Sequence, residues 1–526
     1  MSEPAPRPDE PPEAGGAFPV YNSLESLKPF AAEYRRVPLY VVAGSAAFRD
    51  PAEAFRVLKR LSRQCFILES LEDAKEWGRY TFLGYDPKLE LSCLDGELSI
   101  RNGTNITIKT DDPGSYIAQI IEDNRSPRLS ELPPFQGGLV GYFSYDYITY
   151  HEKRLRASGR SARENSPVKD IENFKDLDLM LFDRLVIYDH LKNEVFLIAL
   201  VRTDALEENV NRAAYDLENL LSLLCKKEDE AEYSPGDIPP LVIKSPFRPL
   251  FDKEQYCAMV EKAKAYIREG DIFQVVLSNR LEADVEGSLF ETYRILRRLN
   301  PSPYMFYFSS DDMEIAGASP ETLVKLQDGC LSTFPLAGTR KRGATAEEDA
   351  ALEQELLADP KELAEHNMLV DLGRNDLGKI CRFGSVMVEK YLSVEKFSHV
   401  MHIGSTVRGK ICREKTALDA INAVLPAGTL SGAPKIRACE IINELENCKR
   451  GLYGGAIGYI DFSGNMDTCI AIRIAFKKNG RVFVRSGAGI VADSVPETEY
   501  AECDNKMKAV LEALVTAAAP DTGGGA

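Results

Sequence analysis

Two pairs of glutamates, Glu362/Glu365 and Glu499/Glu502, stand at i,i+3 spacing in segments that read as helices. On a helix that spacing sets both carboxylates on one face, about one turn apart. The first segment opens Asp359-Pro360-Lys361-Glu362, an N-cap followed by proline at the first helical position. The second opens Ser494-Val495-Pro496-Glu497, and Lys506 extends its Glu499/Glu502 stripe at i+7. Two such helices facing each other would supply the hard oxygen ligands that Mg²⁺ prefers, with positions left for water and an anion. Taken singly, each pair is also what an ordinary helix start carries, because carboxylates suit the dipole there. The segments between the pairs favour the metal.

Three of those segments are rich in small and hydroxyl residues that packing does not demand. Phe334-Pro335-Leu336-Ala337-Gly338-Thr339-Arg340 ends an apolar run with glycine, hydroxyl and guanidinium. Pro426-Ala427-Gly428-Thr429-Leu430-Ser431-Gly432-Ala433-Pro434-Lys435 precedes a helical stretch at 436–445. Ser486-Gly487-Ala488-Gly489 follows an alternating strand at 481–485, where a turn is expected. Glycines of this kind let backbone N–H groups approach an anion, and a helix N-terminus adds favourable partial charge. The chain has neither GxxxxGKS/T nor GxGxxG behind an early strand, so no nucleotide site is expected.

The elements that must position these residues alternate irregularly. Short strands are expected at 89–94, 98–100, 137–142 and 185–188, and an amphipathic helix at 207–224. A Glu/Asp/Lys/Pro-rich stretch follows, then a helix at 256–269 leading into a strand at 272–277. There is no even βα repeat, so the fold class is α+β, antiparallel-rich sheets packed with helices. The organisation predicted is a tail at 1–17, a first lobe at 18–225, a linker at 226–250, a second lobe at 251–516 and a tail at 517–526.

The formal net charge of −17 argues against a nucleic-acid partner. No apolar run approaches membrane-spanning length. Eleven cysteines fall in no CxxC or His/Cys pattern, which fits thiols in a reducing cytosol. The first residues show neither a signal core nor an arginine-rich transit pattern, so a cytoplasmic protein is expected.

The ordered series Ala318-Ser319-Pro320-Glu321, Pro335 to Arg340, Leu369-Val370-Asp371-Leu372-Gly373-Arg374-Asn375-Asp376, Val400-Met401-His402, the Thr429 segment and Gly487-Ala488-Gly489 resembles the chorismate-utilising enzymes. More narrowly it is similar to the large, aminating components of anthranilate synthases, from about residue 20 to 515. That resemblance implies ammonia addition to C2 of chorismate, loss of the C4 hydroxyl, and elimination of pyruvate. It implies Glu321 as the acid at the leaving hydroxyl and His402 beside it. It places Mg²⁺ among Glu362, Glu365, Glu499 and Glu502, with Glu365 and Glu502 as direct ligands and the others direct or through water. Chorismate would meet Gly338, Thr339, Thr429, Tyr453, Arg473, Gly487, Ala488, Gly489 and Lys506.

Two positions narrow the implied reaction. Water-using relatives carry a lysine where this chain has Gln274, and a neutral amide is no general base. Aminodeoxychorismate synthases often carry a nucleophilic lysine where this chain has Ala337. No segment resembles a glutamine amidotransferase, so that activity is expected on a separate subunit. The resemblance also implies feedback by L-tryptophan, bound by Ser70, Arg79, Pro303, Tyr304 and Met305. The first lobe would then be the regulatory one and the second the catalytic one.

Overall fold

β-Branched and aromatic runs such as Glu194–Arg202 (EVFLIALVR) and Tyr304–Ser309 (YMFYFS) form strands buried on both faces. The computed structural model describes residues 22–71, 78–152, 154–155, 172–225, 238–396 and 400–519. The tail expected at 1–17, the first half of the linker and all but the start of the tail at 517–526 lie outside those residues. The described strands form two large antiparallel sheets, and with the helices they make the α+β architecture expected.

Each sheet draws strands from both halves of the chain. In the first, Cys65–Glu69 pairs with Tyr304–Ser309, setting Met305 opposite Glu69. In the second, Gly138–Phe143 pairs with Ala456–Asp461. The two lobes named from sequence therefore share both sheets rather than packing as separate bodies. Between the sheets lies an aromatic layer including Phe66, Phe82, Phe182, Phe306 and Tyr459, with Phe135 stacked on Tyr459 at 4.2 Å. Helices cover the outer faces. Pro51–Leu61, Leu206–Leu224, Phe290–Leu299 and Pro496–Ala518 lie over the first sheet. Pro113–Glu122, Pro360–Gly378 and Ala417–Val424 lie over the second.

Most expected elements recur within a residue or two. The helix expected at 256–269 runs Lys253–Arg268 behind an Asp252/Gln255 capping box. The strand expected at 272–277 is longer, Gln274–Glu286. One expectation is overturned: Gly487, Ala488 and Gly489 do not turn. They lie inside strand Arg481–Ile490, opposite Ser278, Leu277 and Val276.

Candidate active site

Two crossovers between the sheets set the centre of the site. The chain leaves the first sheet after Met313–Ser319 and enters the second at Thr322–Gln327, with Glu321 at the passage. It returns between Met466–Ile470 and Ile474–Lys478, with Arg473 at that passage in a left-handed conformation, φ 52°. Backbone bonds tie the crossovers together: Ile470 N–H donates to the Glu321 carbonyl at 2.9 Å, and Ala318 N–H to the Arg473 carbonyl at 3.2 Å. Tyr453 is pinned alongside, because Gly454 N–H donates to Ala471 O at 2.9 Å and Ala471 N–H to Gly455 O at 2.8 Å. Residues far apart in sequence are thus fixed by main-chain geometry rather than by loops.

Glu321 is the carboxyl at the centre of the site, and its surroundings alter it strongly. Burial pushes its carboxyl up to about 7; the Thr429 hydroxyl and the charges of Lys506 and Arg473 oppose that rise. Thr429 Oγ1 donates to Glu321 Oε1 at 3.1 Å from the short 3₁₀ turn Gly428–Leu430. A carboxyl held near neutrality beside two cations can give a proton to an anion bound there.

His402 stands on strand Val400–Lys410, its Nδ1 2.8 Å from the Gly338 carbonyl and 3.1 Å from the Thr339 hydroxyl. A carbonyl only accepts, so the proton of the neutral ring sits on Nδ1 and Nε2 carries the lone pair. Burial lowers the ring's pKa, the Gly338 bond works against that, and the Arg473 charge adds to it. Gly338 itself lies at a bulge with φ 66°, and a Cβ there would come 3.1 Å from Glu362 Oε2. The glycine is required on both counts.

The first glutamate pair rides on helix Pro360–Gly378. As expected, Asp359 caps it, accepting from Lys361 N–H at 3.0 Å and Glu362 N–H at 3.4 Å. The second pair rides on Pro496–Ala518, whose N-cap is Val495. Ser494, at the opening expected for that helix, instead accepts from Val491 N–H through its hydroxyl. The pairs feel each other's helices: Lys361 acts on Glu499, and Lys506 on Glu365. Burial raises both Glu365 and Glu499, and the neighbouring Glu362 and Glu502 raise them further. Partly buried carboxylates that also repel one another are an environment a divalent cation suits. Among the described residues no three His, Cys, Asp or Glu side chains close into a metal cage.

Lys506 lies on the same helix as the second pair, its Nζ 2.7 Å from Glu502 Oε1 and donating to the Gly487 carbonyl at 3.0 Å. The glycines of that strand leave room for side chains above. A Cβ on Gly487 would lie 2.9 Å from the Tyr453 hydroxyl, and one on Gly489 2.6 Å from Gln274 Nε2. Ala488 faces away, into the core beneath helices Lys253–Arg268 and Lys435–Glu446.

Sequence reasoning gave Gln274 only the role of excluding a base. Its amide bonds the Glu365 carboxylate and holds down that group's pKa. The Asp376–Lys435 pair gave no sequence signal of its own, although its residues close the 369–376 and 426–435 segments. Lys435, its side chain 11% exposed, donates to Asp376 Oδ2 at 2.7 Å and Val424 O at 2.8 Å, bracketing the Thr429 turn.

The segments expected to bind tryptophan converge at one end of the first sheet. Leu71 N–H donates to Ser302 O at 3.2 Å, which brings Ser70 beside the 301–305 segment. The buried Ser70 hydroxyl has no hydrogen-bond partner among the described residues. Met305 is buried against the core under the helices, and the Tyr304 hydroxyl bonds Thr322 and Asp467. Arg79 is committed elsewhere: its Nη2 pairs with Asp189 Oδ2 at 2.8 Å, which leaves it a buttress rather than a ready ligand.

Comparison with known proteins agrees with this geometry. The family model described as chorismate binding enzyme matches residues 64–512. Anthranilate synthase component 1 of Acetivibrio thermocellus is 42% identical over 94% of this chain and 98% of that protein. The component 1 of Aquifex aeolicus (strain VF5) is likewise 42% identical, over 94% and 97%. The crystal structure of anthranilate synthase component I from Streptococcus pneumoniae TIGR4 superposes with TM-score 0.69 at 39% identity, covering 82% of this chain and 92% of that one. MenF, the menaquinone-specific isochorismate synthase from Escherichia coli, shares the fold at TM-score 0.64 and 18% identity, over 93% and 98%. The crossovers, the paired glutamates and these matches together show that the chain belongs to the chorismate binding enzyme family.

Proposed function

We propose that this chain is the aminating component of an anthranilate synthase, converting chorismate and ammonia to anthranilate, pyruvate and water in the cytosol. The carrying observation is Glu321, a carboxyl held near pH 7 by burial and flanked by Arg473 and Lys506. Ammonia adds to C2 of chorismate, the ring double bonds shift, and the C4 hydroxyl departs. Hydroxide leaves poorly, so Glu321 gives it a proton and water is released. Neutral His402 takes part in the acid–base steps beside that hydroxyl, and loss of the C2 proton with expulsion of pyruvate makes the ring aromatic. Arg473 and Lys506 hold the substrate's carboxylates, while Tyr453, Thr429 and the Gly487–Gly489 strand shape its seat. Glu362, Glu365, Glu499 and Glu502 would hold Mg²⁺, with Glu365 and Glu502 as direct ligands. Bound there, the ion would neutralise the ring carboxylate and orient the ring.

The two-amino product is supported by what the chain lacks. Gln274 is engaged with Glu365 and cannot activate water. Ala337, on a strand opposite Ile403, has no nucleophile to form an adduct at C2. Incubation with chorismate, Mg²⁺ and ammonium should give fluorescent anthranilate and pyruvate in equal amounts. Isochorismate, or an aminodeoxychorismate that accumulates without pyruvate, would reject this reading. A separate glutamine amidotransferase subunit supplies the ammonia in the assembled enzyme, so the isolated chain should be nearly inert with glutamine.

Feedback by tryptophan belongs to the same proposal. The support is the buried Ser70 hydroxyl, unpartnered among the described residues, where 70–71 meets 301–305. An amino-acid ligand would satisfy it, and a ligand spanning strands from both halves of the chain can bias their arrangement. Tryptophan at millimolar concentration should inhibit the wild type, and Ser70→Phe should lose that inhibition while keeping turnover. Equal inhibition of both proteins would place the effector elsewhere.

A further inference from the structure

Beneath the substrate seat lies a buried trio of charges to which the chemistry above gives no role. Glu446, Arg450 and Arg485 are 2%, 3% and 4% exposed. Glu446 Oε2 accepts from Arg450 Nε at 3.0 Å and from Arg485 Nη2 at 2.7 Å, while its Oε1 accepts from Ser278 N–H at 2.8 Å. Arg485 Nε donates to the Ser278 hydroxyl at 2.8 Å and its Nη1 to Lys449 O at 3.1 Å. Ion pairs this deep seldom earn their place through stability, since apolar residues of similar volume do as well or better.

What distinguishes the trio is where Arg450 points. Its Nη1 donates to the Leu430 carbonyl at 2.6 Å, one residue past Thr429. Its Nη2 donates to the Val276 carbonyl at 2.6 Å, on the strand that begins at Gln274. The guanidinium lies 4.7 Å from the Tyr145 ring centre and 5.9 Å from that of Tyr453. One planar, fully ionised group thus ties together the Thr429 turn, the Gln274 strand and Tyr453. A lysine could not make the same three-way fork.

We propose that Arg450 is a positioning residue, held by Glu446 and Arg485, which fixes the Gly428–Leu430 turn so that Thr429 donates to Glu321. The proposal rests on the chorismate reading of this site. Glu321 is faced by the Thr429 hydroxyl, by Lys506 of the C-terminal helix and by Arg473 of the second crossover. Of the three, only Thr429 depends on the turn that Arg450 holds. Thr429 stabilises the ionised carboxylate, so a slackened turn raises the pH at which Glu321 loses its proton.

The test is the pH profile of ammonium-dependent turnover for the wild type, Arg450→Lys, Thr429→Val and the double variant. The alkaline limb of kcat should move up by about half a unit to one unit in both single variants. In the double variant it should move no further than in Thr429→Val alone, because both changes break one linkage. A purely structural Arg450 would lower the melting temperature and kcat without moving the limb. A folded Arg450→Lys with an unmoved limb, or full additivity in the double variant, overturns the proposal. Should Arg450→Lys fail to fold, Glu446→Gln releases the same guanidinium with little change of shape, and the same shift, or its absence, decides. Wild-type protein without chorismate turnover would instead defeat the functional reading, and the proposal with it.

Discussion

Glu321→Gln should lower kcat for anthranilate formation by about 10³-fold and leave KM for chorismate nearly unchanged. The amide keeps the shape and can still accept from Thr429, but it has no acidic proton for the departing C4 oxygen. The wild-type pH profile carries a second expectation. Burial raises the Glu321 pKa to about 7, and the protonated form is the donor. Turnover should therefore hold below pH 7 and fall as pH rises through it. Glu321→Asp, with an acid retained but withdrawn by one methylene, should keep an alkaline limb at much reduced kcat. Glu321→Gln should show no such limb at all. A glutamine variant within about tenfold of wild type would remove Glu321 from the proton-donor role, since general acids contribute about 10²–10⁴-fold.

How much of this was readable from sequence depends on how local the determining physics is. The glutamate helices were readable because spacing and an N-cap are local: Asp359 and Pro360 announce the first, and the structure places them as expected. The glycine-rich strand was misread for a physical reason. Gly487 and Gly489 look like a turn in isolation, yet their missing side chains make room for Tyr453 and Gln274 on the face of the sheet opposite Ala488. No pattern around 487 reports what lies across it. The sharing of both sheets by the two halves was hidden in the same way. The pairing of Cys65–Glu69 with Tyr304–Ser309 joins segments more than two hundred residues apart, and hydrophobic alternation does not say which strand is the neighbour.

Arg450 shows the limit most clearly. With Glu446 it makes an i,i+4 pair at a helix end, a spacing that on most helices marks a solvated surface bridge. Only the fold reveals that both side chains point inward, beneath the Thr429 turn. Resemblance named Arg473, Tyr453 and Glu321 only as single residues. The crossovers that explain why an acid and an arginine meet there became visible only with the topology.

Glu365→Gln and Glu502→Gln should weaken Mg²⁺ on the order of 100-fold or more and cut turnover accordingly, with the fold intact. For Glu365 the effect on stability should run in the opposite sense. Its pKa is raised in the folded protein, first by burial and then by Glu362. A folded carboxyl that holds its proton more tightly than the unfolded one makes stability fall as pH rises above the unfolded value. Above that value Glu365 therefore costs the metal-free protein stability, and glutamine removes that cost. Without Mg²⁺ the variant should melt at or above the wild-type temperature. With millimolar Mg²⁺ the wild type should gain in melting temperature and the variant gain little, because only a bound ion stabilises the folded state. Turnover at saturating chorismate should recover in part at high Mg²⁺ if the residual ligands still gather the ion. Near-wild-type activity of both variants at ordinary Mg²⁺, or a wild-type melting temperature indifferent to Mg²⁺, would show that these glutamates hold no metal.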